Sequence, residues 1–182
     1  MTEEDKASGD TVKILGLQWN TSDDTMSLRN KNRNKGTVQF TRSNVLKTFS
    51  QAFDPNGYYN LVLIQFKILF QSLCIKGYNE EQIIDDEQLF KLWISLCADL
   101  EILFEHKINR HIGVGGNHEM QLCCFTGESE NSYGAVVYVR YFDGTQHRTH
   151  LIISKAKVSP KPCFNSKNKK NGLSIPRLER PL

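Results

Sequence analysis

Tyr133-Gly134-Ala135-Val136-Val137-Tyr138-Val139-Arg140-Tyr141-Phe142-Asp143-Gly144 reads as one β-strand followed by its turn. Valine and tyrosine suit a pleated, half-buried surface, and Asp-Gly supplies hairpin chemistry. Working outward, residues 120–126 form a preceding strand and residues 149–158 a following one, closed by Pro160 and Pro162. Three consecutive antiparallel strands make a meander, so the second half of the chain is β-rich.

The first half carries a different period. Leu89, Trp93, Leu96, Cys97, Leu100, Leu103 and Phe104 recur at helical spacing, with Lys91, Ser95, Asp99, Glu101 and Glu105 opposite. This pattern predicts an amphipathic helix, with Asp85 as its cap and Gln88 completing a capping box. Residues 59–75 are apolar almost all round, which predicts a helix buried on most sides. A shorter helix is expected from Ser43 to about Ala52, with Val45, Leu46 and Phe49 as its apolar side. It stops at Phe53-Asp54-Pro55-Asn56-Gly57, because the residue before proline avoids helical angles and Asn-Gly favours a turn. Upstream, residues 12–19 read as a strand, with Val12 and Ile14 on one face and Leu15, Leu17 and Trp19 on the other. Met26-Ser27-Leu28 is its returning partner. Residues 1–10 are polar and expected to be disordered, and the glycine-rich residues 111–118 read as a linker. The GVGG run within them is no phosphate loop, because no GK[ST] follows and a strand comes next.

The net charge of +3 hides an uneven layout. Arg29, Lys31, Arg33, Lys35 and Arg42 fall within residues 29–42 without an acid among them, and six lysines lie between Lys155 and Lys170. Either patch suits a polyanion such as RNA or DNA, and a solvated loop explains each one more cheaply. The five cysteines show no CxxC spacing, and His106, His111 and His118 near Cys123 match no zinc pattern. An odd cysteine count without a signal peptide suggests reduced thiols and an intracellular chain, cytoplasmic or nuclear. No apolar run approaches the roughly 20 residues that span a bilayer, so no membrane partner is expected.

Four motifs in order resemble one family. Lys13-Ile14-Leu15-Gly16-Leu17-Gln18-Trp19, Phe53-Asp54-Pro55-Asn56-Gly57, Ser132-Tyr133-Gly134-Ala135-Val136-Val137-Tyr138 and Ser174-Ile175-Pro176-Arg177-Leu178-Glu179 look like BEL/Pao-type retrotransposon polyproteins, in the region labelled Pao retrotransposon peptidase. The resemblance covers about residues 12–179. It implies an α+β chain: an N-terminal β-hairpin and a helical thumb/connection-like half, then an incomplete antiparallel ribonuclease H-like three-stranded meander. Residues 11–110 would be primer-grip, thumb and connection, and residues 119–182 the start of a ribonuclease H region. Gly16 and Trp19 are then expected at a primer-grip hairpin, with Arg29, Lys31, Arg33, Lys35 and Arg42 as further nucleic-acid contacts.

Ribonuclease H chemistry needs several carboxylates to hold two divalent metals across the scissile phosphate. Glu179 matches the family's helical glutamate, whereas the position of its first aspartate is Gly127. Glu128 is next door on the opposite strand face, and Glu130 lies beyond the expected strand end. The resemblance implies magnesium only for an intact member, and no cofactor is expected for this chain. No Asp-Thr/Ser-Gly loop supports the peptidase label, and a polymerase palm would lie upstream. The expectation is a catalytically silent piece of a retroelement polyprotein, with the remainder of that polyprotein as one candidate partner. The alternatives are a module that pairs through its open sheet edge, or a component active only within a fuller polyprotein.

Overall fold

The computed structural model describes residues 10–14, 16–29, 39–112 and 119–161. Residues 12–19, expected as one strand, fold back on themselves. Strand β1 (Thr11–Ile14) pairs antiparallel with β2 (Leu17–Asn20), and Ile14 stands opposite Leu17. Gly16 sits at the reversal with φ +85°, a conformation glycine adopts without steric cost. Opposed residues share a face. Val12 and Ile14 therefore lie on the same side as Trp19 and Leu17, which corrects the alternation expected for a continuous strand. β3 (Thr25–Leu28) pairs with β2 as expected, and a short β4 (Ile108–Asn109) joins from beyond the helices, giving the order β1-β2-β3-β4.

Three helices share one core with this sheet, the third lying against β3 and the first two packing on the third and on each other. α1 (Arg42–Ser50) is capped by Thr41, whose side chain accepts from the Asn44 amide at 3.2 Å. Val45 is buried and Phe49 packs beside it, one turn apart, whereas Leu46 is turned about 100° away and is 42% exposed. α2 (Asn60–Ile75) buries Leu63, Phe66, Leu69 and Leu73. α3 (Glu87–Glu105) buries Trp93, Leu96, Leu100 and Phe104, the stripe its period predicts. Its cap is Asp86, not Asp85: Asp86 accepts from the Leu89 amide at 3.1 Å and is itself held by Lys76 at 2.8 Å. Trp93 stacks on Phe40 with ring centroids 5.0 Å apart. Leu17 and Leu28 join this core, and each such burial contributes about 1.5–3 kcal/mol.

The second sheet is the expected meander: β5 (Met120–Glu128), β6 (Ser132–Phe142) and β7 (His147–Val158), in that order. Asp143 builds the β6–β7 turn, accepting from the Thr145 and Gln146 amides and from Arg148. A bulge between Val137 and Tyr138 shifts the β6–β7 register. No helix among the described residues is long and apolar enough to cross a membrane.

The turn Asp54-Pro55-Asn56-Gly57 does more than end α1. Asp54 accepts from the Tyr58 and Tyr59 amides at 3.0 and 2.7 Å, satisfying donors just ahead of α2. The Asn56 carbonyl accepts from the Ser154 amide at 2.8 Å, on the outer edge of β7. Asn60 Nδ2 and Ser154 Oγ are 2.9 Å apart, and Ser154 Oγ donates to the Gly57 carbonyl. Gly57 has φ +74°, and a Cβ there would collide with the Ser154 carbonyl. Farther along, Gln71 donates to the Ser159 carbonyl at 2.8 Å, so α2 lies along β7.

Gly57→Ala is therefore expected to cost about 2–4 kcal/mol, combining a left-handed penalty with a backbone collision. Gly144→Ala, also at positive φ but with nothing within 4 Å, should cost only the left-handed penalty of about 1–2 kcal/mol. Urea denaturation of both variants measures the difference, and equal losses would remove the docking argument.

Candidate nucleic-acid interface

Trp19 lies in the middle of β2, between Val12 on β1 and Met26 on β3. Its indole N–H donates to Asp24 Oδ1 at 2.9 Å. The Arg110 guanidinium lies 5.0 Å from the ring centroid and grips the same carboxylate, Nε to Oδ1 at 2.6 Å and Nη2 to Oδ2 at 3.2 Å. Asp24 holds φ +51°, a turn conformation that aspartate tolerates better than most residues. The neighbouring Asp23 binds Lys107 at 2.8 Å. Arg110 first, then the Trp19 indole, holds the Asp24 carboxyl below its ordinary 3.8. The expected primer-contacting tryptophan is thus part of a network that ties the β2–β3 turn to the segment after α3. Asp24 and Arg110 were not foreseen, because 86 residues separate them.

Gly16 is equally engaged: its absent side chain leaves room for the Phe53 ring. Arg42 opens α1, where Nη1 donates to the Tyr78 carbonyl at 3.0 Å and Nη2 to Glu80 at 3.3 Å. Arg29 is partly buried just past β3. Lys31, Arg33, Lys35 and Glu179 lie outside the described residues. The structure brings Gly16 and Trp19 onto one hairpin, whereas Arg42 belongs to the contact between α1 and the loop after α2.

The meander has two distinct faces. Phe125, Gly127, Gly134, Val136, Tyr138, Leu151, Ser154 and Ala156 share one, by their register. With Asn60, Leu61 and Ile64 of α2 this face forms an open trough of about 690 Å³. Phe125 and Tyr138 meet edge-on across it, centroids 6.1 Å apart. Gly134 is needed there, since a Cβ would approach the Lys155 carbonyl to 2.9 Å. Gly127, its partner, has nothing within 4 Å of where a Cβ would stand. The other face carries the rows Glu128–Tyr133–Lys157 and Thr126–Ala135–Lys155, so two lysines stand side by side on β7.

These residues do not fit the metal centre that the family resemblance implies. Gly127 offers no side-chain carboxylate, and alternation along β5 turns Glu128 away from the face Gly127 shares with Gly134. Among the described residues, no three of His, Cys, Asp or Glu are grouped closely enough to hold a metal ion.

Asp24→Asn tests the hairpin network, since asparagine also tolerates positive φ. The folded-state value of Asp24 is depressed, so its contribution is complete above about 3.8 and is lost as pH falls through the lower folded value. Thermal unfolding is expected to show a lower Tm for the variant at pH 7 and a narrowing gap toward pH 2. A gap independent of pH would mean that the charge is not what matters.

No curated protein matches the chain. A family profile, described as the Pao retrotransposon-like RNaseH-like domain, matches residues 41–180. That span runs from the cap of α1 through all three helices and the whole meander. The chain therefore belongs to the Pao retrotransposon-like RNaseH-like domain family, in keeping with the Pao/BEL retrotransposon character of its motifs.

Proposed function

We propose that this chain is a segment of a Pao-type retrotransposon polyprotein that contacts nucleic acid without cutting it. The observation that carries the non-catalytic reading is the row Gly127–Gly134. The position that the family resemblance assigns to the first metal-binding aspartate is a glycine on the open trough, and alternation along β5 turns the adjacent Glu128 away from the face Gly127 shares with Gly134. A two-metal phosphodiester cleavage has no first ligand there. We read residues 11–110 as the primer-grip, thumb and connection-like part, and residues 119–182 as the ribonuclease H-like part. The place of action is inside the cell, a reading supported by Cys97, Cys123 and Cys124, which form no disulfide.

Nucleic-acid contact is supported by Lys155 and Lys157, adjacent on one strand face beside Tyr133, together with the sequence cluster Arg29, Lys31, Arg33 and Lys35. Trp19 and Arg42 are already held by protein partners, so the contact rests on these cations meeting phosphate. Such binding is independent of base sequence and weakens as salt displaces it.

With about five phosphate contacts on a duplex, the log–log salt slope should be roughly −4.5, and Lys155→Ala with Lys157→Ala should reduce its size by about 2. A fluorescence-anisotropy titration across salt concentrations measures both, and absence of binding at low salt would end the nucleic-acid reading.

For cleavage, a labelled RNA–DNA hybrid with magnesium or manganese should remain intact with the unmodified chain, Gly127→Asp and Glu179→Gln alike. Cutting by the unmodified chain that disappears in Glu179→Gln would overturn the non-catalytic reading.

A further inference from the structure

The meander face turned away from Gly127 carries a second hollow, of about 590 Å³. Its lining side chains stand in two cross-strand rows, Glu128–Tyr133–Lys157 and Thr126–Ala135–Lys155. Ala135 makes the hollow: it adds one methyl group to the floor, beside the Tyr133 ring, which stands up from the sheet. Tyr133 is 45% exposed, and Glu128, Lys155 and Lys157 are exposed too. Among the described residues, none of these three charged groups is in an ion pair. The charges are sorted across the sheet. Both cations stand on β7, two residues and hence roughly 7 Å apart along the strand. The carboxylate stands on β5, with β6 and its tyrosine between.

We infer that this hollow takes one unpaired nucleotide of a single strand. The base lies against the Tyr133 ring, the backbone phosphates lie over Lys155 and Lys157, and a base amino group donates to Glu128. This deepens the proposed nucleic-acid contact and rests on it, adding a modest base preference to the phosphate contact. Each wall of the hollow asks for one part of that ligand. Two neighbouring cations ask for a polyanion whose charges recur, as successive phosphates do. An exposed ring beside a floor of one methyl group asks for a flat apolar surface, which every base offers. Glu128 accepts a donor and repels phosphate, so the backbone lies on the β7 side and the base edge on the β5 side. An acidic peptide satisfies the lysines alone. A duplex can lay phosphates on the lysines, but its bases stay stacked on one another, out of reach of the ring. Among bases, cytosine carries an amino donor where uracil carries an oxygen acceptor, so Glu128 favours cytosine.

Fluorescence anisotropy with the full chain, at low salt and neutral pH, tests this. The probes are labelled single strands of about 12 nucleotides, made of deoxycytidine, of deoxyuridine or of abasic residues, and a mixed-sequence duplex of equal length. The deoxycytidine strand should bind about threefold more tightly than deoxyuridine and at least about tenfold more tightly than the abasic strand. Tyr133→Ala should weaken the deoxycytidine complex about tenfold, whereas Tyr133→Phe, which keeps the ring, should leave it unchanged. Lys155→Ala with Lys157→Ala should reduce the size of the single-strand salt slope by about 1.4. Glu128→Ala should abolish the preference for deoxycytidine over deoxyuridine. Circular dichroism checks that the variants fold, and the comparison among the strands needs no variant. Equal binding of abasic and deoxycytidine strands, or a Tyr133→Ala chain that binds as well as the unmodified one, would overturn the stacked nucleotide and leave the phosphate contact standing. Preference for the duplex over every single strand would do the same. Binding indifferent to the paired lysine change would place the contact elsewhere and overturn this site. Failure to bind any probe would end the proposed nucleic-acid contact as well.

Discussion

The hydrogen bond from the Ser154 amide to the Asn56 carbonyl is the point on which the architecture hangs. Around it, four consecutive residues each meet a different requirement. Asp54 occupies the amides ahead of α2, Pro55 presets the turn that follows α1, Asn56 continues the hydrogen bonding of β7 past its edge, and Gly57 lets two backbones come together. Just before them, Phe53 lies against Gly16 at the β1–β2 reversal. One short turn therefore touches the first sheet, α2 and the second sheet. Together with the bond from Gln71 to the Ser159 carbonyl, it fixes how α2 lies along β7.

Among the described residues, that attachment leaves the meander thinly covered. α2 runs beside β7 and reaches only the near part of one sheet face, while β5 stands farthest from the helices. The helical core is dense, with Val45, Phe66 and Leu73 fully enclosed, whereas in the meander only Val139 and Tyr141 are buried. Buried apolar area is what offsets the entropy of ordering a strand. A strand with as little burial as β5 gains much from any surface that covers it. The same physics explains the trough, which among the described residues is bounded by the sheet and the one helix at its side.

Period was legible in the sequence and direction was not. The stripe of α3 and the three meander strands follow from side-chain spacing alone, because a core-facing element repeats its apolar positions locally. The reversal at Gly16 was missed because apolar residues continue on both sides of it, and a tight turn inside such a run leaves no polar break. Asp86 took the cap from Asp85 because Lys76, ten residues upstream, helps to hold it, a contact no local pattern contains. The surroundings of Trp19 and Arg42 were hidden for the same reason. Both are sequence-plausible contacts, and both are held by residues far away along the chain, Arg110 and the segment 78–80.

Why could the fold persist with a glycine where the family resemblance implies a metal-binding aspartate? The glycines in the family-like motifs are mechanically tied to other parts of the chain: Gly16 to Phe53, Gly57 to Ser154, Gly134 to Lys155 and Ala156. Adding a side chain to any of these forces a neighbour to move. Position 127 touches nothing, so a side chain there holds nothing together. A carboxylate at that place would stand exposed on the open trough, with no side chain packed against it. Removing it leaves only the modest entropic penalty of glycine in a strand, about 0.5–1 kcal/mol. Packing and chemistry are thus separable here: the motifs that build the scaffold support one another, and the position that would do the chemistry supports none of them.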